Sequence, residues 1–200
     1  MTIATEMDPA TLDALRESVA GVLAEQCDST ALHAFIDGKT VLDRDLWNQA
    51  ASLGWLGFGI AEQHGGLGLG LHGLAILHTE LGRQAAPGPY IATLCAGQAI
   101  AACGTDAARK TWLPRIAVGG IRAAIPACLN ASLSAGQNAG LTLSSTGVSG
   151  TLCCLGCPDA AFVLAPASEA WVIVELAGVD VTAVPMWDRT RETINIRLRD

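Results

Sequence analysis

Leu46-Trp47-Asn48-Gln49-Ala50-Ala51-Ser52-Leu53-Gly54-Trp55-Leu56-Gly57, followed by Ile60-Ala61-Glu62-Gln63-His64-Gly65-Gly66-Leu67-Gly68, decides the reading of this chain. Leu46, Trp47, Ala50 and Leu53 recur at helical spacing, and Gly54 is a natural stop. A short apolar stretch and a glycine-rich turn come next, and a further helix carries Glu80-Leu81-Gly82. Upstream, Asp8 is placed to cap a helix that has Pro9 at its first position. Leu12, Leu15, Val19, Val22 and Leu23 form the apolar stripe of that helix. Further helices are expected from about Leu71 to Gly82, with Leu74, Leu77, His78 and Leu81 together, and from Pro89 to Cys103, ended by Gly104. One more is expected from Asp106 to the Trp112-Leu113-Pro114 step, where proline should end it.

Past Gly119-Gly120 the texture changes. Short runs rich in Val, Ile and Thr, separated by Gly, Ser, Pro and Asn, read as strands. The candidates are Ile121-Ile125, Leu141-Thr146, Ala160-Leu164, Trp171-Leu176, Val179-Val184 and Thr193-Leu198. The expected fold class is α+β: an all-helical domain over residues 1–119, then a β-rich, barrel-like domain over 120–200. Strand and helix do not alternate, which disfavours a doubly wound sheet.

Composition narrows the functional classes. In 200 residues, half are hydrophobic and 16% charged, with a mean hydropathy of +0.38, apolar enough to imply surface that another chain covers. A net charge of −7 opposes a nucleic-acid or anionic-membrane surface, which needs clustered Lys and Arg. No stretch approaches the roughly 20 apolar residues of a bilayer span. Met1-Thr2-Ile3-Ala4-Thr5-Glu6 lacks the features of a signal peptide. The seven cysteines therefore read as reduced thiols in a cytoplasm. Between Arg122 and Asp159 there is no Asp, Glu, Lys or Arg, so that stretch is expected to lie against something.

Several motifs invite chemistry that their context opposes. Gly68-Leu69-Gly70-Leu71-His72-Gly73 matches the dinucleotide fingerprint, but no βαβ unit surrounds it and no acidic residue follows at ribose distance. Cys153-Cys154-Leu155-Gly156-Cys157 contains a C-x-x-C, yet lacks the second ligand pair of a metal site and the helix N-terminus of a redox site. Buried, inert thiols are the expectation. His33, His64, His72 and His78 have no framing nucleophile or carboxylate, and no metal ligands are assigned. Trp47, Trp55, Trp112, Trp171 and Trp187 are dispersed, which fits packing rather than base stacking.

Taken in order, the opening stretch resembles the N-terminal helical domain of the acyl-CoA dehydrogenase family. Gly104-Thr105-Asp106-Ala107-Ala108-Arg109-Lys110-Thr111-Trp112-Leu113-Pro114-Arg115-Ile116-Ala117-Val118-Gly119 is similar to that family's junction into its β domain. Val184-Pro185-Met186-Trp187-Asp188-Arg189-Thr190-Arg191 is similar to its D-x-T-R segment. The resemblance implies a flavoenzyme of lipid or steroid catabolism that oxidises an acyl-CoA thioester on FAD, with a glutamate removing the α-proton. Members have a third, helical domain that carries this base. No residue here matches it, so no catalytic residue is assigned and the chain alone is expected to be inactive.

The middle domain departs from the family pattern. Ala124-Ile125-Pro126-Ala127-Cys128-Leu129-Asn130-Ala131-Ser132 stands in place of a T-E-x-x-A-G-S-D-like run. Gly150-Thr151-Leu152-Cys153-Cys154-Leu155-Gly156 replaces G-x-K-x-W-I-T. What remains for FAD is main-chain contact, and the resemblance puts Ala127, Leu155 and Gly156 nearest the flavin. A homo- or hetero-oligomer with another acyl-CoA dehydrogenase chain follows as the expected partner. The competing expectations are a scaffold that keeps the fold without FAD and, further off, a cysteine-based metal or redox protein.

Overall fold

A computed structural model describes residues 8–127, 141–145, 147–167 and 170–199. The chain divides into two compact units, Met1–Gly120 and Ile121–Asp200. Among the described residues the first holds six α-helices: α1 (Pro9–Gln26), α2 (Ser29–Ile36), α3 (Leu42–Ser52), α4 (Gly70–Arg83), α5 (Tyr90–Cys103) and α6 (Asp106–Ala117). None of the described helices is long and apolar enough to cross a membrane.

The stripe on α1 packs as its spacing requires. Val19 and Leu23 are fully buried, with Leu15 and Val22 partly buried beside them. They share a core with Leu46, Trp47 and Ala50 of α3, with Leu74, Leu77 and Leu81 of α4, and with Tyr90 and Leu94 of α5. The Trp47 and Tyr90 rings meet at 5.4 Å between centroids, tilted by 39°, a geometry that contributes about 0.5–1.5 kcal/mol beyond area burial. The Trp47 indole N–H donates to the carbonyl of Gly119 at 3.0 Å, which fixes α3 to the end of the unit. Gly54, at φ +74°, takes the left-handed position past α3. The fingerprint-like glycines lie in the connection into α4 rather than after a strand, and main-chain bonds from Leu67 to Gly57 and from Gly68 to Ile60, both 2.8 Å, fix its entry.

Three local expectations change. Asp8 occupies the cap position of α1, but its side chain makes no capping bond. Helix α2 has no counterpart in the sequence reading; Asp28 caps it by accepting from the Ala31 amide at 2.7 Å. Pro114 does not stop α6, which runs on to Ala117. Leu113, Ile116 and Ala117 are all buried, and that packing outweighs the one lost hydrogen bond.

The described residues of the second unit form a sheet of seven strands: β1 (Ala123–Pro126), β2 (Thr142–Leu143), β3 (Val148–Leu155), β4 (Phe162–Ala167), β5 (Ala170–Glu175), β6 (Asp180–Val184) and β7 (Thr193–Leu198). Its order is β5-β4-β1-β3-β7-β6, with β2 beside β3. Among the described strands the β1–β4 pair alone is parallel, and an isolated bridge from Leu141 to Ala167 is parallel too. The fold is thus α+β, helices first and strands after. Strand β3, which the sequence reading left among strands and turns, is the longest and lies at the centre. Because side chains alternate, Leu152 and Cys154 of β3 join Ala124, Val163, Ala165, Ile194, Ile196 and Leu198 in one buried cluster. Residues 151, 153 and 155 turn to the opposite face.

Candidate functional site

That opposite face carries two of the three residues expected near a flavin. Ile125 of β1 opposes Leu155 of β3, Leu155 opposes Thr193 of β7, and Thr193 opposes Val184 of β6. Partners in a ladder share a face, so these four residues form one row across the sheet. Leu155 is half-buried in it. Ala127 continues β1 by one residue, its amide donating to the Cys153 carbonyl at 2.9 Å. This puts Ala127 and Cys153, both exposed, in the next row on the same face.

Gly156 belongs to the other face. A Cβ there would stand 2.8 Å from the Cβ of Ala124 and 3.0 Å from its Cα, at a backbone φ of +149°. The glycine lets β3 close against β1, and its amide donates to the Glu192 carbonyl at 3.2 Å. The structure therefore brings Ala127 and Leu155 to one surface and turns Gly156 to the β core. Cys128 and the run through Ser132, read as replacing the family's flavin-wrapping motif, lie outside the described residues.

Thr193 was not singled out from sequence. Thr193 is 3% exposed and its Oγ1 has no hydrogen-bond partner among the described residues. Buried hydroxyls almost always have one. An orphaned donor and acceptor beside Leu155 is the strongest polar feature of this face. Its only signal in the sequence is a threonine opening an otherwise alternating strand, which strands commonly do.

Elsewhere the chemistry is quiet. Burial pushes the Cys154 thiol up to about 12, with neighbouring Cys153 adding to it. Burial also raises Cys157, with contributions from its hydrogen bond to Asp159 and from that residue's charge. Thiols held protonated do not serve as nucleophiles or metal ligands. Among the described residues no group of three or more His, Cys, Asp or Glu could hold a metal ion. In the D-x-T-R segment, Asp188 accepts from the amide and hydroxyl of Thr190 at 2.9 and 2.6 Å. The hydroxyl bond lowers the Asp188 pKa, and the segment acts as a local turn.

The helical unit has an open cleft of about 570 Å³ lined by Gln63, His64, Asp106, Arg109 and Lys110. Arg109 is already committed, to the Ala101 carbonyl and the Asp106 carboxylate, both at 3.0 Å. No base and nucleophile are paired in it.

A model of the acyl-CoA dehydrogenase N-terminal domain matches residues 9–120, more than half of the sequence. The chain belongs to the acyl-CoA dehydrogenase family. A curated relative, the acyl-CoA dehydrogenase FadE12 of Mycobacterium tuberculosis, is 37% identical over 82 residues, covering 38% of this chain and 20% of that protein. Among solved structures, a variant of the Tcur3481–Tcur3483 steroid ACAD is 26% identical with a TM-score of 0.78, covering 95% of this chain and 55% of the other. The acyl-CoA dehydrogenase of Bacillus anthracis complexed with FAD gives a TM-score of 0.73 at 18% identity, covering 99% of this chain and 37% of that one. At that identity the likeness is one of fold. This acyl-CoA dehydrogenase chain thus spans about half the length of the steroid ACAD chain.

Proposed function

We propose that this chain supplies the helical and middle β domains of a flavin-dependent acyl-CoA dehydrogenase, working with a second acyl-CoA dehydrogenase chain. The reaction is α,β-dehydrogenation of an acyl-CoA thioester, with lipid or steroid acyl-CoAs as the substrate class. Bound FAD would take up the hydride from the acyl β-carbon. Ala127, Leu155 and Gly156 are the residues of this chain proposed nearest the flavin.

The observation that carries the reading is the row Ile125, Leu155, Thr193 and Val184. It presents the half-buried Leu155 and Val184 as an apolar surface to a planar ring, with Ile125 and Thr193 buried beside them. The residues fit a flavin in this limited sense. They contribute shape and exclusion of water. Gly156 acts one layer behind, by letting β3 lie close on β1 and so holding Leu155 in the row. Proton removal has no assigned group in this chain. The partner, by this reading, provides the base and the remaining flavin contacts. The similar steroid ACAD is named for two components, Tcur3481 and Tcur3483, which supports looking for a partner here.

The test is the visible spectrum of the purified chain after incubation with FAD and gel filtration. A retained flavin band supports the reading. A chain that stays colourless both alone and with its co-purifying partner refutes it and favours the scaffold alternative. Pure chain that oxidised acyl-CoA with an artificial electron acceptor would refute the assignment of the base to the partner.

A further inference from the structure

We propose that the open cleft of the helical unit is a binding site for a small phosphate monoester, such as a sugar phosphate. The site needs only the helical unit and is independent of the flavin reading. Three elements surround its volume of about 570 Å³: the turn Glu62–His64 with Gln63 and His64, the end of α5 with Ala101, and the start of α6 with Asp106, Arg109 and Lys110. Small-molecule sites usually fall within roughly 300–1,000 Å³.

Charge decides the sign of the ligand. The chain has 19 acidic and 12 basic residues, yet two basic side chains and a single carboxylate line this cleft. That carboxylate is already neutralised, because Arg109 Nη1 donates to Asp106 Oδ1 at 3.0 Å. Arg109 is also tied to the carbonyls of Ala101 and Ala102, at 3.0 and 3.5 Å. These bonds hold the guanidinium in place. They use three of its five N–H groups, so two remain to give. Lys110 makes no ion pair among the described residues, which leaves its charge to a ligand. Glu62, next to Gln63, does not line the cleft; its Cγ lies toward Gly68, 3.7 Å from where a Cβ of that glycine would stand.

The balance of donors and acceptors points the same way. The Ala101 and Ala102 carbonyls are taken up by Arg109. Gln63 Nε2 lies 3.4 Å from His64 Nε2, which joins the two side chains into one polar wall. Ala61 and Ala101 complete the lining without a polar side chain. A cation entering here would meet one carboxylate, already paired. An anion meets an unpaired ammonium and a fixed guanidinium with donors to spare. A phosphate monoester brings three acceptor oxygens and nearly two charges to those donors. Its organic part has room over the alanines, where a bare phosphate would leave most of the cleft to water.

Ribose 5-phosphate is the probe, titrated into the full chain and followed by proton–nitrogen NMR. The amides of Gln63, His64, Arg109 and Lys110 and the side-chain amide of Gln63 should shift together. Ribose without its phosphate should shift none of them. Lys110→Glu reverses the charge of an exposed side chain and should weaken binding by about tenfold or more, with its circular dichroism unchanged. Lys110→Gln, which removes the charge without reversing it, should bind with intermediate strength, and added sodium chloride should weaken binding to the wild type. Ribose 5-phosphate that leaves these amides unmoved, that shifts only residues elsewhere, or that binds both Lys110 variants as it binds the wild type would overturn the proposal.

Discussion

Replacing Thr193 by valine exchanges a hydroxyl for a methyl of similar size at a position 3% exposed. If Oγ1 is as isolated as the structure has it, the wild-type β unit carries the desolvation cost of an unpaired hydroxyl, about 1–3 kcal/mol. The variant should therefore be more stable than the wild type by about 1–3 kcal/mol when no flavin is present. For a unit of this size each kcal/mol moves the melting temperature by roughly 4–8 °C. Urea unfolding of the full chain gives the first number. The thermal midpoint gives the second, and both should rise together in Thr193→Val. Thr193→Ser serves as control. It keeps the hydroxyl, drops one methyl, and should cost about 1 kcal/mol. A valine variant less stable than wild type would mean that the hydroxyl already has a partner and would refute its isolation.

Gly156→Ala should destabilise the β unit by about 2–4 kcal/mol, since a Cβ 2.8 Å from Ala124 and a φ of +149° both oppose it; a urea midpoint within error of wild type would contradict that. Thr105→Ala removes the side chain that accepts from the Ala108 amide at 3.2 Å and should cost about 1 kcal/mol in the same assay. Glu80 is 2% exposed and its Oε2 lies 3.3 Å from Arg83 Nε, so Arg83→Ala, which strips the carboxylate of that partner, should destabilise by about 1–2 kcal/mol while Glu80→Met is tolerated. Burial raises the Cys27 thiol to about 11 and Cys154 to about 12 from 9.0. The native state thus holds these protons more tightly, and stability is intact below pH 9 and falls progressively toward pH 12. Urea titrations at several alkaline pH values check it, and a flat profile would contradict the burial of those thiols. At pH 7 a maleimide should label exposed Cys95, Cys103 and Cys153 well before Cys154 and Cys157.

The sequence speaks most clearly where apolar residues repeat over several turns. Val19 and Leu23, Leu46 to Ala50, and Leu74 to Leu81 were all readable as helix faces because burying them is what the helices are for. Helix α2 escaped because its eight residues carry no buried stripe, so its capping residue was the sole signal. Pro114 misled for a related reason: the local penalty is visible in the sequence, whereas the burial of Leu113 and Ile116 that offsets it is not. Strand β3 escaped because Ser149 and Gly150 have weak strand character, and only its neighbours on both sides make it a strand. The site follows the same division. Leu155 and Ala127 could be placed by resemblance, but which face each takes depends on register, and a one-residue difference in parity sends Gly156 to the core. Nothing in a lone threonine tells that its hydroxyl will be left without a partner.

The bond from Trp47 to Gly119 joins residues 72 positions apart. At the usual pace of synthesis, roughly 5–20 residues per second, about 4–14 s pass between the two leaving the peptidyl-transferase centre. Within that interval the stripes of α3 and α4 are completed beside that of α1, while the carbonyl that receives the Trp47 indole does not yet exist. The nascent helices must therefore wait half-assembled on the ribosome, with much of their apolar surface still in search of cover. The helical unit has its last tie only when Gly119 emerges, and the β-rich unit is by then already being translated.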